Sequence, residues 1–167
     1  MSLRPAIPGD FPFIRGLASQ PENAPFISDE DEAALAGYLA DPSARLLIWE
    51  IAGAPAGFAL WCQVGDPSGA VELRRLALAA TGGGQGQVFL RALVDYGFAT
   101  LGAARIWLDA SGENPRALRS YDRAGFTLEG RLRQHWYRPA LGRAVDLMLF
   151  GMLRAEWEAL EPLPERA

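Results

Sequence analysis

The chain has 167 residues, of which 50% are hydrophobic and 22% charged, with a formal net charge of −4 at pH 7. This length and composition suit a single domain over residues 1–167 with a packed core. The acidic balance argues against nucleic acid as the main partner, because binding a phosphate backbone usually needs a basic face. All 16 basic residues are arginine. The absence of lysine excludes a lysine-dependent phosphate loop and Schiff-base chemistry.

Cysteine usage and apolar runs predict the compartment. Cys62 is the one cysteine, so no internal disulfide can form, which favours a reducing environment. No secretory signal is seen at residues 3–10, and no apolar run approaches the roughly 20 residues that span a bilayer. We therefore expect a cytoplasmic protein with no membrane partner. His135 and Cys62 give no ligand cluster, so we expect no bound metal.

The first half of the chain predicts two helices and four strands. Asp10 is a candidate N-cap for the first helix, and Ser28 is expected to begin the second, with acidic residues in its first turn. Gly53-Ala54-Pro55 is a hairpin signal between two strands. The elements expected in order are a strand over 3–6, helices over 10–17 and 28–41, and strands over 45–51, 56–64 and 71–78.

The second half predicts helices that alternate with strands and end in a hairpin. Asn114 is a good N-cap, and Pro115 fits the first position of the helix that follows. The predicted fold class is α/β (α+β), a mixed, mostly antiparallel sheet of about seven strands with helices on both faces. The expected elements are a helix over 87–101, a strand over 105–109, a helix over 114–124, strands over 126–137 and 144–153, and a helical turn over 156–160.

A glycine-rich loop lies between a strand end and a helix start. Gly82, Gly84 and Gly86 give a G-x-G-x-G pattern directly before the helical periodicity. Free backbone N–H groups and the positive end of a helix dipole would meet there, which suits a phosphate-bearing ligand. A Rossmann dinucleotide site is a competing interpretation, but Gln87 and Phe89 stand where that motif needs its last glycine.

The strand before this loop changes phase. Val71 and Leu73 alternate, and so do Leu76 and Leu78, but the alternation slips at Arg74-Arg75. One interpretation is a β-bulge, which re-aims backbone groups and often lies near active sites. The other is a strand buried on both faces, where alternation carries little information.

These residues resemble the GNAT superfamily of acyl-CoA-dependent N-acetyltransferases, over nearly the whole chain and most closely over 71–153. Gly84-Gln85-Gly86 matches the family's cofactor motif, with Thr81 standing where the family has Arg or Gln. Asn114, Tyr121 and Gly125-Phe126 match its Asn…Tyr…Gly-Phe pattern. The tail Glu129-Gly130-Arg131…Gly142…Asp146 is similar to the branch that contains ribosomal-protein N-terminal acetyltransferases.

The resemblance implies that acetyl-CoA is the acyl donor and that its pantetheine arm pairs with the strand edge near Leu76 and Leu78. The N–H groups from Gly82 to Gln87 would hold the pyrophosphate, and an N–H near Leu76 would polarise the thioester carbonyl. The implied cofactor-binding residues are Leu76, Ala77, Leu78, Thr81, Gly82, Gly83, Gly84, Gln85, Gly86, Gln87, Asn114, Ala117 and Tyr121.

Tyr121 is the expected general acid. It lies seven residues after Asn114, so the two side chains share a helix face, and its O–H would protonate the leaving thiolate. A half-buried helix aromatic is the alternative for Tyr121, and a plain N-cap is the alternative for Asn114. Glu72 is the first candidate for the base, unless it is paired with an arginine, and His135 is the second. Asp146, Glu129 and Glu50 are weaker candidates.

The expected activity is acetyl transfer to a primary amine, either a small molecule or a peptide amino terminus. A non-catalytic acyl-CoA-binding module with the same fold is the alternative. The acidic run Asp29 to Glu32 could attract a cationic amine or could only serve the helix dipole. A C-terminal stripe of Leu153, Trp157 and Leu160 could pack on its own domain or on a second subunit, which makes a homodimer possible.

Overall fold

The computed structural model describes residues 1–80 and 82–162. The α-helices among these residues are α1 (Phe11–Ala18), α2 (Glu32–Ala40), α3 (Gln85–Asp95), α4 (Pro115–Arg123) and α5 (Arg154–Glu158). A 3₁₀ turn (Pro8–Asp10) precedes α1, and a π-helical turn (Tyr96–Thr100) continues α3. The strands are β1 (Ser2–Pro5), β2 (Arg45–Ile51), β3 (Ala54–Cys62), β4 (Ala70–Leu78), β5 (Arg105–Ser111), β6 (Thr127–Arg138) and β7 (Arg143–Leu153).

The strands form one mixed sheet in the order β1-β2-β3-β4-β5-β7-β6. Only the β4–β5 pair is parallel among the described strands; the other five pairs are antiparallel. The long connection through α3 explains this, because a parallel neighbour needs a crossover. The predicted mixed, mostly antiparallel sheet of about seven strands is confirmed.

Helices cover both faces of the sheet, as the alternation along the strands requires. Leu46 and Ile48 of β2 pack with α1 and with Leu35 of α2. Leu47 and Trp49, which point to the opposite face, pack with the apolar stripe of α3. The sheet is therefore the middle layer of three, and helices on both faces are confirmed.

The parallel pair β4–β5 is short, and this opens the sheet. Its register runs only from Ala70 opposite Arg105 to Glu72 opposite Trp107. Beyond that point β4 continues to Leu78 and β5 to Ser111 without pairing to each other. The two strands thus diverge and leave a wedge-shaped opening at the centre of the sheet.

A β-bulge lies where the strand pattern slips. In the β3–β4 pair, Leu60 is opposite Arg75 and Trp61 is opposite Leu73, so Arg74 is the extra residue. The predicted bulge at Arg74-Arg75 is confirmed, and the phase slip in the sequence was its signal.

Two helix starts differ from the sequence prediction, and one agrees. Asp10 is the N-cap residue of α1 as predicted, but its carboxylate accepts the Ile7 N–H at 2.9 Å, across a 3₁₀ turn, and no N–H of α1. The second helix begins at Glu32 rather than Ser28, because Asp31 is the residue whose side chain accepts the Ala34 N–H, at 2.8 Å. The third begins at Gln85, two residues earlier than predicted.

The C-terminal stripe packs on its own domain. The Trp157 ring stacks on Phe98 with centroids 5.1 Å apart, and its Nε1 donates to Asp95 at 2.7 Å. Leu160 packs against the same core, while Leu153 stays 49% exposed. Trp157 and Leu160 therefore need no second subunit to be covered. No helix in the described part of the chain has the length and apolar character to cross a membrane.

Candidate active site

A cavity of about 620 Å³ fills the opening between β4 and β5. Its walls come from β4, β5, the glycine loop, α3, α4, the 23–28 segment, His135 and Trp136 of β6, and Leu147 of β7. Most of the predicted site residues line it: Glu72, Leu76, Ala77, Leu78, Gly82, Gly84, Gly86, Gln87, Asn114, Ala117, Tyr121 and His135. Gly83 and Gln85 are not among the lining residues, and Thr81 lies outside the described residues.

The glycine loop has a backbone conformation that residues other than glycine rarely adopt. Gly82, Gly83 and Gly84 have φ of 103°, 54° and 74°, and Gly84 is the N-cap of α3. The left-handed conformation explains why glycine is needed there. The loop turns sharply into α3, so the positive end of the helix dipole faces the cavity.

Hydrogen bonds within this loop reduce the number of backbone N–H groups that are free to bind a phosphate. The N–H groups of Gln85 and Gln87 donate to the carbonyls of Gly82 and Gly84, both at 3.1 Å. The expectation that every N–H from Gly82 to Gln87 faces the ligand is therefore wrong for these two. The Gln87 side chain instead donates to the Ser120 carbonyl at 3.1 Å, which ties α3 to α4.

The edge of β4 that faces the opening carries unpaired backbone groups. The Ala79 N–H donates to Ala56 of the neighbouring chain segment at 2.9 Å. Antiparallel pairing alternates, so with the β3–β4 register the N–H groups of Leu78 and Leu76 point to the other edge. That edge has no strand partner among the described residues, and it can pair with an extended, amide-bearing ligand.

The helix α4 carries the predicted Asn–Tyr face. The Asn114 side chain caps the helix through Oδ1, which accepts the Ala117 N–H at 3.1 Å. The cap interpretation is thus correct, and it leaves the side-chain NH₂ of Asn114 as the group that can donate to a ligand. Tyr121 is only 8% exposed and lies edge-on to Phe126 and Phe150.

Burial changes the acidity of Tyr121. Desolvation, and then the nearby Asp109, raise the pKa of Tyr121 well above its usual value. The hydroxyl is therefore protonated at neutral pH. It can donate a proton inside the cavity but does not act as a permanent anion there.

Two carboxylates line the opening, Glu72 on β4 and Asp109 on β5. Glu72 is buried, and its Oε2 accepts Nε and Nη2 of Arg74 at 3.0 and 2.6 Å. Asp109 also lines the cavity, two residues beyond the last β4–β5 pair. Burial, and then Glu72, raise the pKa of Asp109.

Asp109 was missed as a site residue. Its position at the end of β5 was weighed only as the acidic residue that a Rossmann site needs, and no role in acyl transfer was predicted for it. The usable signal was topological: a residue at the carboxyl end of β5 lies at the opening if β4 and β5 are parallel. Arg116 and Arg123 of α4 also line the cavity and were not predicted as site residues.

His135 reaches the cavity through a large bulge in β6. Leu132 is opposite Leu147 and Trp136 is opposite Val145, so three residues of β6 lie between these pairs against one of β7. The middle one, Gln134, has a φ of 49°.

Asp146 of β7 holds this bulge. It accepts the Gln134 N–H at 2.7 Å and Arg131 Nε at 2.6 Å. Those two bonds hold the pKa of Asp146 below its usual range. Asp146 itself is not among the cavity-lining residues, and neither are Glu129 and Glu50, which pair with Arg105 and Arg4.

Arg138 fixes the 24–28 segment, of which Phe26, Ile27 and Ser28 line the cavity. It is buried and donates to the carbonyls of Ala24 and Pro25 at 2.7 and 2.9 Å and to that of Ile27 at 3.2 Å. A fourth bond reaches Ser28 Oγ at 3.0 Å. Its guanidinium also stacks over Trp136, 4.0 Å from the ring centroid. This anchor could not be predicted from sequence, because the two segments lie more than 100 residues apart.

Comparison with known proteins agrees with this architecture. A model of the acetyltransferase (GNAT) family matches residues 11–126. An uncharacterised N-acetyltransferase p20 of Bacillus licheniformis is 35% identical over 65 residues, which is 39% of this chain and 35% of that relative.

The fold is also shared with solved structures. The spermidine N-acetyltransferase of Vibrio cholerae in complex with CoA and spermine has a TM-score of 0.83 at 21% identity, covering 94% of this chain and 97% of that one. A chimera of that enzyme with hSSAT has a TM-score of 0.83 at 22% identity, with 95% and 98% covered. The family match over residues 11–126, which is most of the chain, shows that the protein belongs to the acetyltransferase (GNAT) family.

Proposed function

We propose that the protein transfers the acetyl group of acetyl-CoA to a primary amine by direct attack on the thioester. One observation carries the proposal. The opening between β4 and β5 joins a glycine loop at a helix N-terminus to a group of proton-carrying side chains, Glu72, Asp109, Tyr121 and His135. A phosphate-bearing donor and a proton-transfer centre therefore share one cavity.

The residues present fit an acyl-CoA. The open edge of β4 offers the N–H groups of Leu76 and Leu78 to the amide-bearing arm. The loop from Gly82 to Gly86 and the N-terminus of α3 suit the pyrophosphate. Arg116 and Arg123 add positive charge along α4, and this charge takes the part that the family's Arg or Gln at position 81 would play.

The transfer needs one proton to leave the amine and one to reach the sulfur. The amine nitrogen bonds to the thioester carbon, and the carbon–sulfur bond breaks as the nitrogen loses its proton to a base. Tyr121 gives its proton to the sulfur. Burial raises the pKa of Tyr121. The same low-dielectric surroundings would raise the pKa of a thiol beside it, so the pKa values of the proton donor and of the leaving group rise together.

The base is drawn from three side chains. Glu72 is held by Arg74, and His135 is exposed. Burial raises the pKa of Asp109. The pKa thereby moves towards neutral pH, and a general base is most effective when its pKa is near the working pH. We assign the base to Asp109, with Glu72 and His135 as the alternatives.

Two finer assignments follow from likeness alone. The tail that contains Glu129 and Asp146 resembles the branch that acetylates peptide amino termini, whereas the solved structures named above are spermidine acetyltransferases. The non-catalytic acyl-CoA-binding module is the second candidate function. Its support is Thr81, which replaces the family's Arg or Gln.

A panel assay tests the proposal. The purified protein is incubated with acetyl-CoA and, in turn, with aryl and alkyl monoamines, a polyamine and short peptides, and the released thiol is measured. We expect thiol release that depends on the amine. Binding of acetyl-CoA by calorimetry, without transfer to any amine, would establish the non-catalytic module instead.

A further inference from the structure

The acidic run near the cavity is already bound within the chain. Asp29 pairs with Arg15 at 3.2 Å, and Glu30 pairs with Arg75 at 2.5 Å. Asp31 caps α2 through the Ala34 N–H. These three carboxylates therefore already have partners within the chain, and neither they nor Glu32, the fourth of the run, are among the residues that line the cavity.

The part of the cavity lined by Phe26, Ile27, Trp136 and Leu147, here called the acceptor half, has few free negative charges nearby. Among the described residues that line the cavity, the carboxylates are Glu72 and Asp109. Glu72 is salt-bridged to Arg74, so Asp109 is the carboxylate without a salt bridge. Arg75, which also lines the cavity, is already paired with Glu30. One further ammonium group would therefore find no unpaired carboxylate among the described lining residues, and burying an unpaired charge opposes binding.

The rest of this half is apolar and held in place. Phe26, Ile27, Trp136 and Leu147 line it. Arg138 uses four of its five N–H groups on the 24–28 segment and stacks on Trp136. The wall is thus ordered before a ligand arrives, which lowers the entropy cost of binding.

From this charge count and this wall we infer the acceptor class: a primary monoamine whose single ammonium group meets Asp109 and whose apolar, ring-sized body packs on Phe26 and Trp136. The inference rests on the proposed acetyl transfer. It separates this chain from the spermidine acetyltransferases that share its fold, because a polyamine would bring two or more further charges into a half-site with no carboxylate for them.

The test compares kcat/KM for 2-phenylethylamine, ethylamine and spermidine at one pH with saturating acetyl-CoA. We expect 2-phenylethylamine to exceed both by about tenfold or more, since burying a ring is worth roughly 1.5–3 kcal/mol and each 1.4 kcal/mol is tenfold. Equal or higher kcat/KM for spermidine overturns the inference and leaves the proposed function intact. No transfer to any amine overturns the proposed function and this inference with it.

Variants of Phe26 test whether the apolar residues that line the acceptor half cause the preference among amines. Phe26→Ala should lower kcat/KM for 2-phenylethylamine about tenfold and leave that for ethylamine within about twofold. Phe26→Glu, which adds a carboxylate, should raise kcat/KM for spermidine relative to wild type. The matched control is Tyr137→Ala, because Tyr137 follows Trp136 on β6 but is 62% exposed and does not line the cavity. An equal loss for all three amines in Phe26→Ala contradicts the inference.

Discussion

At the scale of single residues, burial sets the chemistry of the site. Tyr121 and Asp109 carry ordinary side chains, but the cavity between β4 and β5 removes water from both. Their pKa values rise for this reason first, and each is raised further by a neighbouring carboxyl or carboxylate. Tyr121 thereby stays a proton donor, and Asp109 becomes a stronger base than a surface aspartate.

Tyr121→Phe tests the acid. The variant keeps the ring that packs against Phe126 and Phe150 but lacks the proton. We expect kcat to fall about 10²- to 10⁴-fold, with the Kd for acetyl-CoA within about twofold of wild type. The control is Tyr96→Phe, because Tyr96 is also partly buried but does not line the cavity. A kcat that is unchanged in Tyr121→Phe would remove Tyr121 from the mechanism.

The pH dependence tests the base. Protonated Asp109 cannot accept a proton, so kcat should rise with pH through the pKa of Asp109, which lies above the usual aspartate value of about 3.9. Asp109→Asn should abolish this limb of the profile and lower kcat. If the limb survives in Asp109→Asn and disappears in Glu72→Gln or His135→Asn, the base is the residue so identified.

The stability of Asp109→Asn serves as its control. A carboxyl whose pKa is higher in the folded than in the unfolded state binds more protons when folded, so stability falls as pH rises through that window. Removing the charge therefore should not destabilise the protein. Thermal unfolding at neutral pH is expected to show a Tm for Asp109→Asn at or above that of the wild type.

At the scale of elements, irregular backbone directs side chains into the site. The bulge at Arg74 was predictable, because the slip in the apolar alternation lies within the sequence of a single strand, β4. The three-residue bulge before Trp136 was not, since it depends on hydrogen bonds from β6 to Asp146 on the next strand. His135 was nominated for its chemistry alone, and the bulge is the reason why it lies in the cavity.

Asp146→Ala tests this bulge. The Gln134 N–H and Arg131 both lose their acceptor, so His135 and Trp136 lose their fixed direction. We expect KM for the amine to rise about five- to tenfold, as the loss of a charge-assisted hydrogen bond implies, with KM for acetyl-CoA little changed. The control is Glu129→Ala, which breaks the salt bridge between Glu129 of β6 and Arg105 of β5, outside the cavity. Equal changes in the two variants would mean that Asp146 acts on stability only.

Gly84→Ala tests the loop at the start of α3. Gly84 has a φ of 74°, and a Cβ there costs about 1–2 kcal/mol. We expect the Kd for CoA, measured by calorimetry, to rise about five- to thirtyfold as the loop relaxes. Gly53→Ala is the matched control, because Gly53 has a φ of 78° in the β2–β3 hairpin, away from the cavity. A similar Kd for both variants would show that the loop geometry does not serve the ligand.

At the scale of the whole molecule, the architecture of the sheet could be predicted only in part from the sequence. Element order and alternation were sufficient to predict seven strands, their mixed directions and helices on both faces. They could not show that the β4–β5 ladder stops at Glu72 and Trp107, because the length of a ladder between distant segments depends on packing. Asp109 was missed for this reason, although Tyr121 and Glu72 were found.

Ligand binding should therefore stabilise the molecule as a whole, because an acyl-CoA would bridge the halves of the sheet that diverge at the opening. At 100 times its Kd, acetyl-CoA should add about 2.7 kcal/mol to the free energy of unfolding. For a chain of this size that raises Tm by about 5 to 11 °C. The same concentration of NAD should leave Tm unchanged, since the loop lacks the dinucleotide motif.

Hydrogen exchange shows where that stabilisation acts. The amides of Leu76 and Leu78 point to the unpaired edge of β4, so acetyl-CoA should slow their exchange if its arm adds to the sheet as a strand does. Ala52 and Gly53 in the β2–β3 turn lie outside the cavity and serve as the internal reference. A rise in Tm with no local protection at Leu76 and Leu78 would place the ligand elsewhere and contradict the proposed role of this edge.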